Sequence, residues 1–145
     1  IQIKGTVDST SDTEALQQQA LLQELGAEGM SFEELEASYE IDSLESTYKE
    51  LLSADQMRAL LEEHTSDTAV DEVAYRKALV ADLVAAQSVD NAQMQALGPA
   101  RAEAIRAFFV EQGGLDAGRF SVDPETSTTS DGERWVRSQL VAEAS

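Results

Sequence analysis

Two stretches that alternate apolar and polar residues sit at opposite ends of this chain, and long helical stripes separate them. Ile1-Gln2-Ile3-Lys4-Gly5-Thr6-Val7 has the period of two that a half-buried strand requires. Arg119-Phe120-Ser121-Val122 and Arg134-Trp135-Val136-Arg137-Ser138-Gln139-Leu140-Val141 read as two further strands. The spacing predicts that the first strand is followed by a helical crossover, that Phe120 returns to the same sheet, and that the final strand pairs by hairpin.

Asp8-Ser9-Thr10-Ser11-Asp12 is a turn cluster ending in an N-cap at Asp12, and Ala15, Leu16, Ala20, Leu21, Leu22 and Leu25 form a stripe that stops at Gly26. Residues 27–89 read as helix after helix. Ser31-Phe32-Glu33-Glu34 and Ser53-Ala54-Asp55-Gln56 match the capping box, and a helix from about Asp71 to Ala86 directs Val73, Val80, Leu83 and Val84 to a core. A last helix starts after Asp90, with Met94, Leu97, Ile105 and Phe108 at helical spacing, and ends at Gly113-Gly114. Pro99 inside it predicts a kink or a fresh start near Gly98. Residues from Pro124 to Glu133 read as a Ser/Thr-rich loop, and no internal repeat is detectable. The fold class is α+β, a small mixed sheet with strands at both chain ends and a large all-helical insertion. One domain spans 1–145, with 1–26 and 90–145 as its α/β part and 27–89 as the acidic helical insertion.

Charge narrows the partners. The chain carries 28 Asp and Glu against 10 Lys and Arg, a net charge of -18. Residues 24–72 hold 15 of those acids and only Lys49 and Arg58 as bases. Such a surface repels nucleic-acid backbones and anionic membranes. It suits solubility, or the docking of a basic segment anchored on Phe32, Tyr39, Tyr48 and Met57. No stretch approaches the ~20 apolar residues that cross a bilayer. The chain opens inside a strand at Ile1, without initiator Met or signal peptide, and so reads as a segment of a longer protein that holds any anchor.

Zero cysteines remove disulfides, thiolate metal sites and thiol nucleophiles. The only histidine, His64, reads as a solvated helix-end residue. Asp8 to Asp12 supplies oxygens at alternate positions but lacks the Gly and the closing Glu of a calcium loop. Glu33, Glu34 and Glu36 read as a solvated face, Trp135 and Phe120 as packing for a small sheet, and Arg134 and Arg137 as strand-edge charges. No nucleophile–base pair or phosphate-binding loop is present, so the expectation is a non-enzyme without cofactor or metal.

Ala100-Arg101-Ala102-Glu103-Ala104-Ile105-Arg106-Ala107-Phe108-Phe109-Val110-Glu111-Gln112-Gly113-Gly114-Leu115-Asp116-Ala117-Gly118-Arg119-Phe120 resembles the "R-A-x-x-V … G-v-d-x-x-R-l" segment of OmpA-like domains. Ile1 to Ser9 is similar to their strand ending in "G-H-T-D", and Trp135-Val136-Arg137 falls where they end in an "R-R-V" strand. The resemblance implies that Asp8 and Arg101 grip the diaminopimelate group of peptidoglycan, a carboxylate on its ammonium and a guanidinium forked onto its carboxylate. Thr6-Val7 replaces the His-Thr pair, Gly98 replaces the Ser, and 92 residues separate Asp8 from Arg101. A local ion pair of Arg101 with Glu103 or Asp90 is therefore expected in place of the clamp. Gly113-Gly114-Leu115-Asp116 with Arg119, after a "G-x-x-D" strand and a helical insertion, also resembles the C-terminal part of large AsmA-like envelope proteins, the family called domain of unknown function 748. That resemblance implies a non-catalytic interaction or capping domain in the Gram-negative periplasm, part of an inner-membrane-anchored protein serving outer-membrane assembly or lipid traffic. Its partner would be an envelope protein or another part of the same chain; the alternative is a peptidoglycan-binding module.

Overall fold

The computed structural model describes residues 1–130, 132 and 138–142. In chain order its elements are β1 (Gln2–Lys4), β2 (Thr6–Asp8), α1 (Ser11–Glu24), α2 (Phe32–Ser38), α3 (Ile41–Leu51) and α4 (Ala54–Glu63). There follow β3 (Thr65–Ser66), β4 (Ala69–Val70), α5 (Glu72–Ala85), α6 (Asn91–Glu111), β5 (Ser121–Val122), β6 (Ser127–Thr129) and β7 (Gln139–Val141). The architecture is α+β, about 59% helical, with sheets of two or three strands. Two compact units form, residues 1–14 with 89–145 and residues 15–88, where the sequence suggests one domain with its insertion at 27–89. The boundary moves because Leu21, on α1, is fully buried in the helical core rather than against the sheet.

In the first unit, the opening strand is broken by Gly5 into β1 and β2. β5 returns parallel to β1 with Ile3 opposite Val122, and β6 continues parallel to β2 with Val7 opposite Thr128. Ser127–Thr129 is thus a strand, not part of a loop. Lys4, the only base on β1, reaches Asp123 and Glu125 at 3.8 and 3.5 Å beside this pairing. β7 does not form a hairpin with β5; it lies antiparallel on the other side of β1, with Leu140 opposite Ile3. The segment before it, Arg134 to Arg137, lies outside the described residues. α6 covers the sheet, and Ile3, Ala102 and Phe120 are buried with Ile105, Phe109, Val110 and Val122 packed around them.

α6 runs as one helix through Pro99, so of the expected kink or fresh start the fresh start does not occur. Proline has no N–H to give the carbonyl four residues back, which is that of Gln95. The Thr126 hydroxyl donates to that carbonyl at 2.6 Å, so the helix continues without an orphaned acceptor. Glycine makes this approach possible: a Cβ on Gly98 would strike the Thr126 side chain, and one on Gly5 would strike the Gly98 carbonyl.

The second unit is a helical bundle with its own core of Leu21, Leu35, Leu44, Leu79, Val80 and Leu83, together with Tyr48 and Tyr75. Ser31 and Glu34 close a reciprocal capping box on α2. On α4, Ser53 Oγ accepts from the Gln56 N–H at 3.1 Å, but the Gln56 side chain meets the Ser53 hydroxyl rather than its backbone. On α5 the buried positions are Tyr75, Leu79, Val80, Leu83 and Val84; Val73, in the first turn of the helix, is 59% exposed although it lies in phase with Val80 and Val84. The β3–β4 hairpin was not expected; Asp67 turns it at φ 54°. Gln17 Nε2 donates to the Gln87 carbonyl at 3.1 Å, so the chain enters and leaves this unit side by side.

Two tyrosine hydroxyls are buried against carboxylates. Tyr48 Oη donates to Asp82 at 2.7 Å and Tyr75 Oη to Glu45 at 2.8 Å. Burial first, then Asp82, pushes the Tyr48 hydroxyl up to about 12, and burial with Glu45 raises Tyr75 as well.

Candidate functional site

β2 delivers Asp8 to the point where the chain turns into α1, and α6 brings Arg101 to the same place. Asp8 is 1% exposed. Its Oδ1 accepts from the N–H groups of Thr10 and Ser11, both at 2.9 Å, and its Oδ2 from the Gly132 N–H at 2.9 Å. Asp8, not Asp12, therefore caps the turn into α1. The Ser11 N–H is the main reason its carboxyl is lowered to about 2; burial opposes this, and the Thr10 and Gly132 N–H groups add to it.

Asp12 stands in the first turn of α1 with its side chain 8% exposed, and Arg101 is 35% exposed. The guanidinium forks onto it, Nη2 to Oδ1 at 2.6 Å and Nη1 to Oδ2 at 2.8 Å. Arg101 Nη1 also donates to the Thr6 carbonyl at 2.8 Å, and Asp12 Oδ2 accepts from the Asp8 N–H at 2.7 Å. The Arg101 hydrogen bond holds the Asp12 carboxyl below its ordinary value, and Asp12 in turn raises Arg101. Arg101 forms an ion pair, but with the distant Asp12 rather than the expected local one with Glu103 or Asp90. Glu103, two residues along the same helix, pairs instead with Arg106 at 2.9 Å, while Asp90 caps α6 through the Ala92 N–H. Sequence reading missed Asp12 because its partner is 89 residues away.

The structure thus brings Asp8 and Arg101 into one network, with Asp12 between them. A cavity of about 260 Å³ nearby is lined by Val7, Ser9, Thr13, Asn91, Met94 and Thr128 among others; neither Asp8 nor Arg101 lines it. The other candidates are occupied locally. His64 ends α4 with Nδ1 2.8 Å from the Leu60 carbonyl, and Glu34 belongs to the capping box. Phe120 stacks on Phe109 at 5.5 Å, as core packing requires. Phe32, Tyr39 and Met57 pack against the helical core that buries Tyr48, so these four are not free anchors. Trp135, Arg134 and Arg137 lie outside the described residues. Among the described residues no three His, Cys, Asp or Glu side chains gather as a metal site. No helix there is long and apolar enough to cross a membrane.

Both carboxyls are lowered on folding, which sets the sign of the acid response. A group with a depressed folded value contributes stability that is complete above its ordinary value, 3.8, and is lost as pH falls toward the folded value, about 2 for Asp8. Urea midpoints measured from about pH 5 to about pH 2.5 should fall more steeply for the natural chain than for Asp12→Asn. Parallel curves would contradict the assignment of this network.

No family model, no curated protein and no solved structure matches the chain.

Proposed function

We propose that this chain is a non-catalytic interaction and capping domain of an AsmA-like bacterial envelope protein. It works in the Gram-negative periplasm as part of an inner-membrane-anchored protein linked to outer-membrane assembly or lipid traffic. Its partner is another envelope protein or another part of the same chain. The observation that supports this reading is the state of Arg101: its fork is filled by Asp12 and the Thr6 carbonyl. A guanidinium whose donors are satisfied inside the chain has no strong drive to take a ligand carboxylate, and Asp8 likewise has its oxygens on N–H groups of its own chain.

One observation favours the second reading, an OmpA-like peptidoglycan-binding module: Asp8 and Arg101 converge although 92 residues separate them. Sedimentation with purified peptidoglycan decides between the two. The chain is expected to stay in the supernatant. Co-sedimentation that is lost in folded Asp8→Ala or Arg101→Ala variants would establish the wall-binding module instead.

A further inference from the structure

The helical unit carries a groove whose charge is not balanced from within. Leu52 stands just past the end of α3, which carries Tyr48; along α4, Gln56, Ala59 and Glu63 form one stripe; along α5, Asp82 and Ala85 form another. These stripes line two overlapping hollows of about 260 and 270 Å³ that share Tyr48, Gln56 and Asp82. Small side chains at Ala59 and Ala85 leave the groove open, and the half-buried Leu52 and Leu60 side chains give it apolar walls.

The acids have few internal counter-charges. Among the described residues of this unit the only ion pair is Arg58 with Asp55 at 3.4 Å, on α4. Arg76, the base on α5 nearest the core, spends its guanidinium on the carbonyls of Tyr39 and Ala37. Asp82 accepts the Tyr48 hydroxyl and forms no ion pair among the described residues, nor does Glu63. An apolar floor edged by uncompensated carboxylates fits the face of a helix that carries apolar side chains with Lys or Arg one turn away.

We propose that this α3–α4–α5 groove is the docking site for a basic amphipathic helix of a partner protein, with apolar side chains seated between Leu52, Ala59 and Ala85 and cations on Asp82 and Glu63. This rests on the reading of the chain as an interaction domain and adds where the partner sits and what chemistry it has. The surrounding acids of residues 24–72 steer the partner in, and the groove selects it.

The test uses the whole chain and a helical peptide of about 16 residues with a Leu stripe flanked by Lys and Arg. A scrambled peptide of the same composition keeps the charge and removes the stripe. At about 0.15 M salt, where long-range attraction is screened, the amphipathic peptide is expected to bind at least ~10-fold more tightly than the scrambled one. Amide-resonance shifts should centre on Leu52, Ala59, Asp82 and Ala85. Asp82→Asn keeps an acceptor for Tyr48 but removes the charge, and should weaken binding roughly tenfold. Ala85→Trp or Ala59→Trp, at exposed positions, should block the groove without lowering the melting temperature. Equal binding of the scrambled peptide, no binding, shifts centred on Glu33, Glu34 and Glu36, or full affinity in both Trp variants would overturn the proposal. None of these outcomes touches the peptidoglycan result, so the groove can fail while the envelope reading stands, and the reverse.

Discussion

Asp12→Ala is expected to destabilise the chain by about 2–3 kcal/mol, somewhat less than the loss of one partner from a fully buried ion pair. The substitution strands two donors at once, the Arg101 fork and the Asp8 N–H. The discount follows from Arg101, which is 35% exposed and can recover part of its hydration. Removing the stranded cation as well should restore stability, so Asp12→Ala with Arg101→Met is expected to be more stable than Asp12→Ala alone. Urea unfolding of the two single variants and the double variant measures this coupling. A loss below about 0.5 kcal/mol for Asp12→Ala, or additive effects in the double variant, would show that the network holds nothing together.

Gly5→Ala is expected to cost about 3 kcal/mol, at the upper end of ordinary overpacking, although only a methyl group is added. The new Cβ would occupy the space of the Gly98 carbonyl, which is backbone and cannot swing aside as a side chain would. α6 cannot retreat freely either, because Thr126 presses on Gly98 and bonds the Gln95 carbonyl. Gly29→Ala is the matched control: a Cβ there meets nothing within 4 Å, and its stability should stay within about 0.5 kcal/mol of the natural chain. Equal effects at the two positions in a thermal melt would argue against the close strand–helix approach.

The local elements were legible because their causes are local. The Ser31–Glu34 box, the Asp90 cap and the α5 core positions Val80, Leu83 and Val84 follow from periodicity and from side chains a few residues apart. The return of the chain after Phe120 to the sheet of the first strand also agrees with the expected helical crossover, while its parallel sense is given by the structure. Val73 shares the helical phase of Val80 and Val84 but sits in the first turn of α5, and phase alone does not show how far along a helix the packed face extends.

What lay beyond the sequence was decided by contacts between chain segments far apart. Pro99 reads locally as a break, and only the hydroxyl of Thr126, 31 residues away, supplies the donor that lets α6 continue. Ser127–Thr129 reads as a loop, and β2 makes it a strand by offering its edge. Arg101 reads as a ligand-binding residue by resemblance or as a partner of its helical neighbours by proximity. Tertiary packing gave it Asp12, since a rigid bidentate fork takes the carboxylate that the fold holds in its plane over one that must be drawn in on a flexible exposed side chain. The sequence by itself determined the helices, the Ser31 and Asp90 caps and the uneven charge. The tertiary structure alone decided which polar groups those elements spend on each other, because hydrogen-bond geometry depends on distances that sequence spacing does not encode.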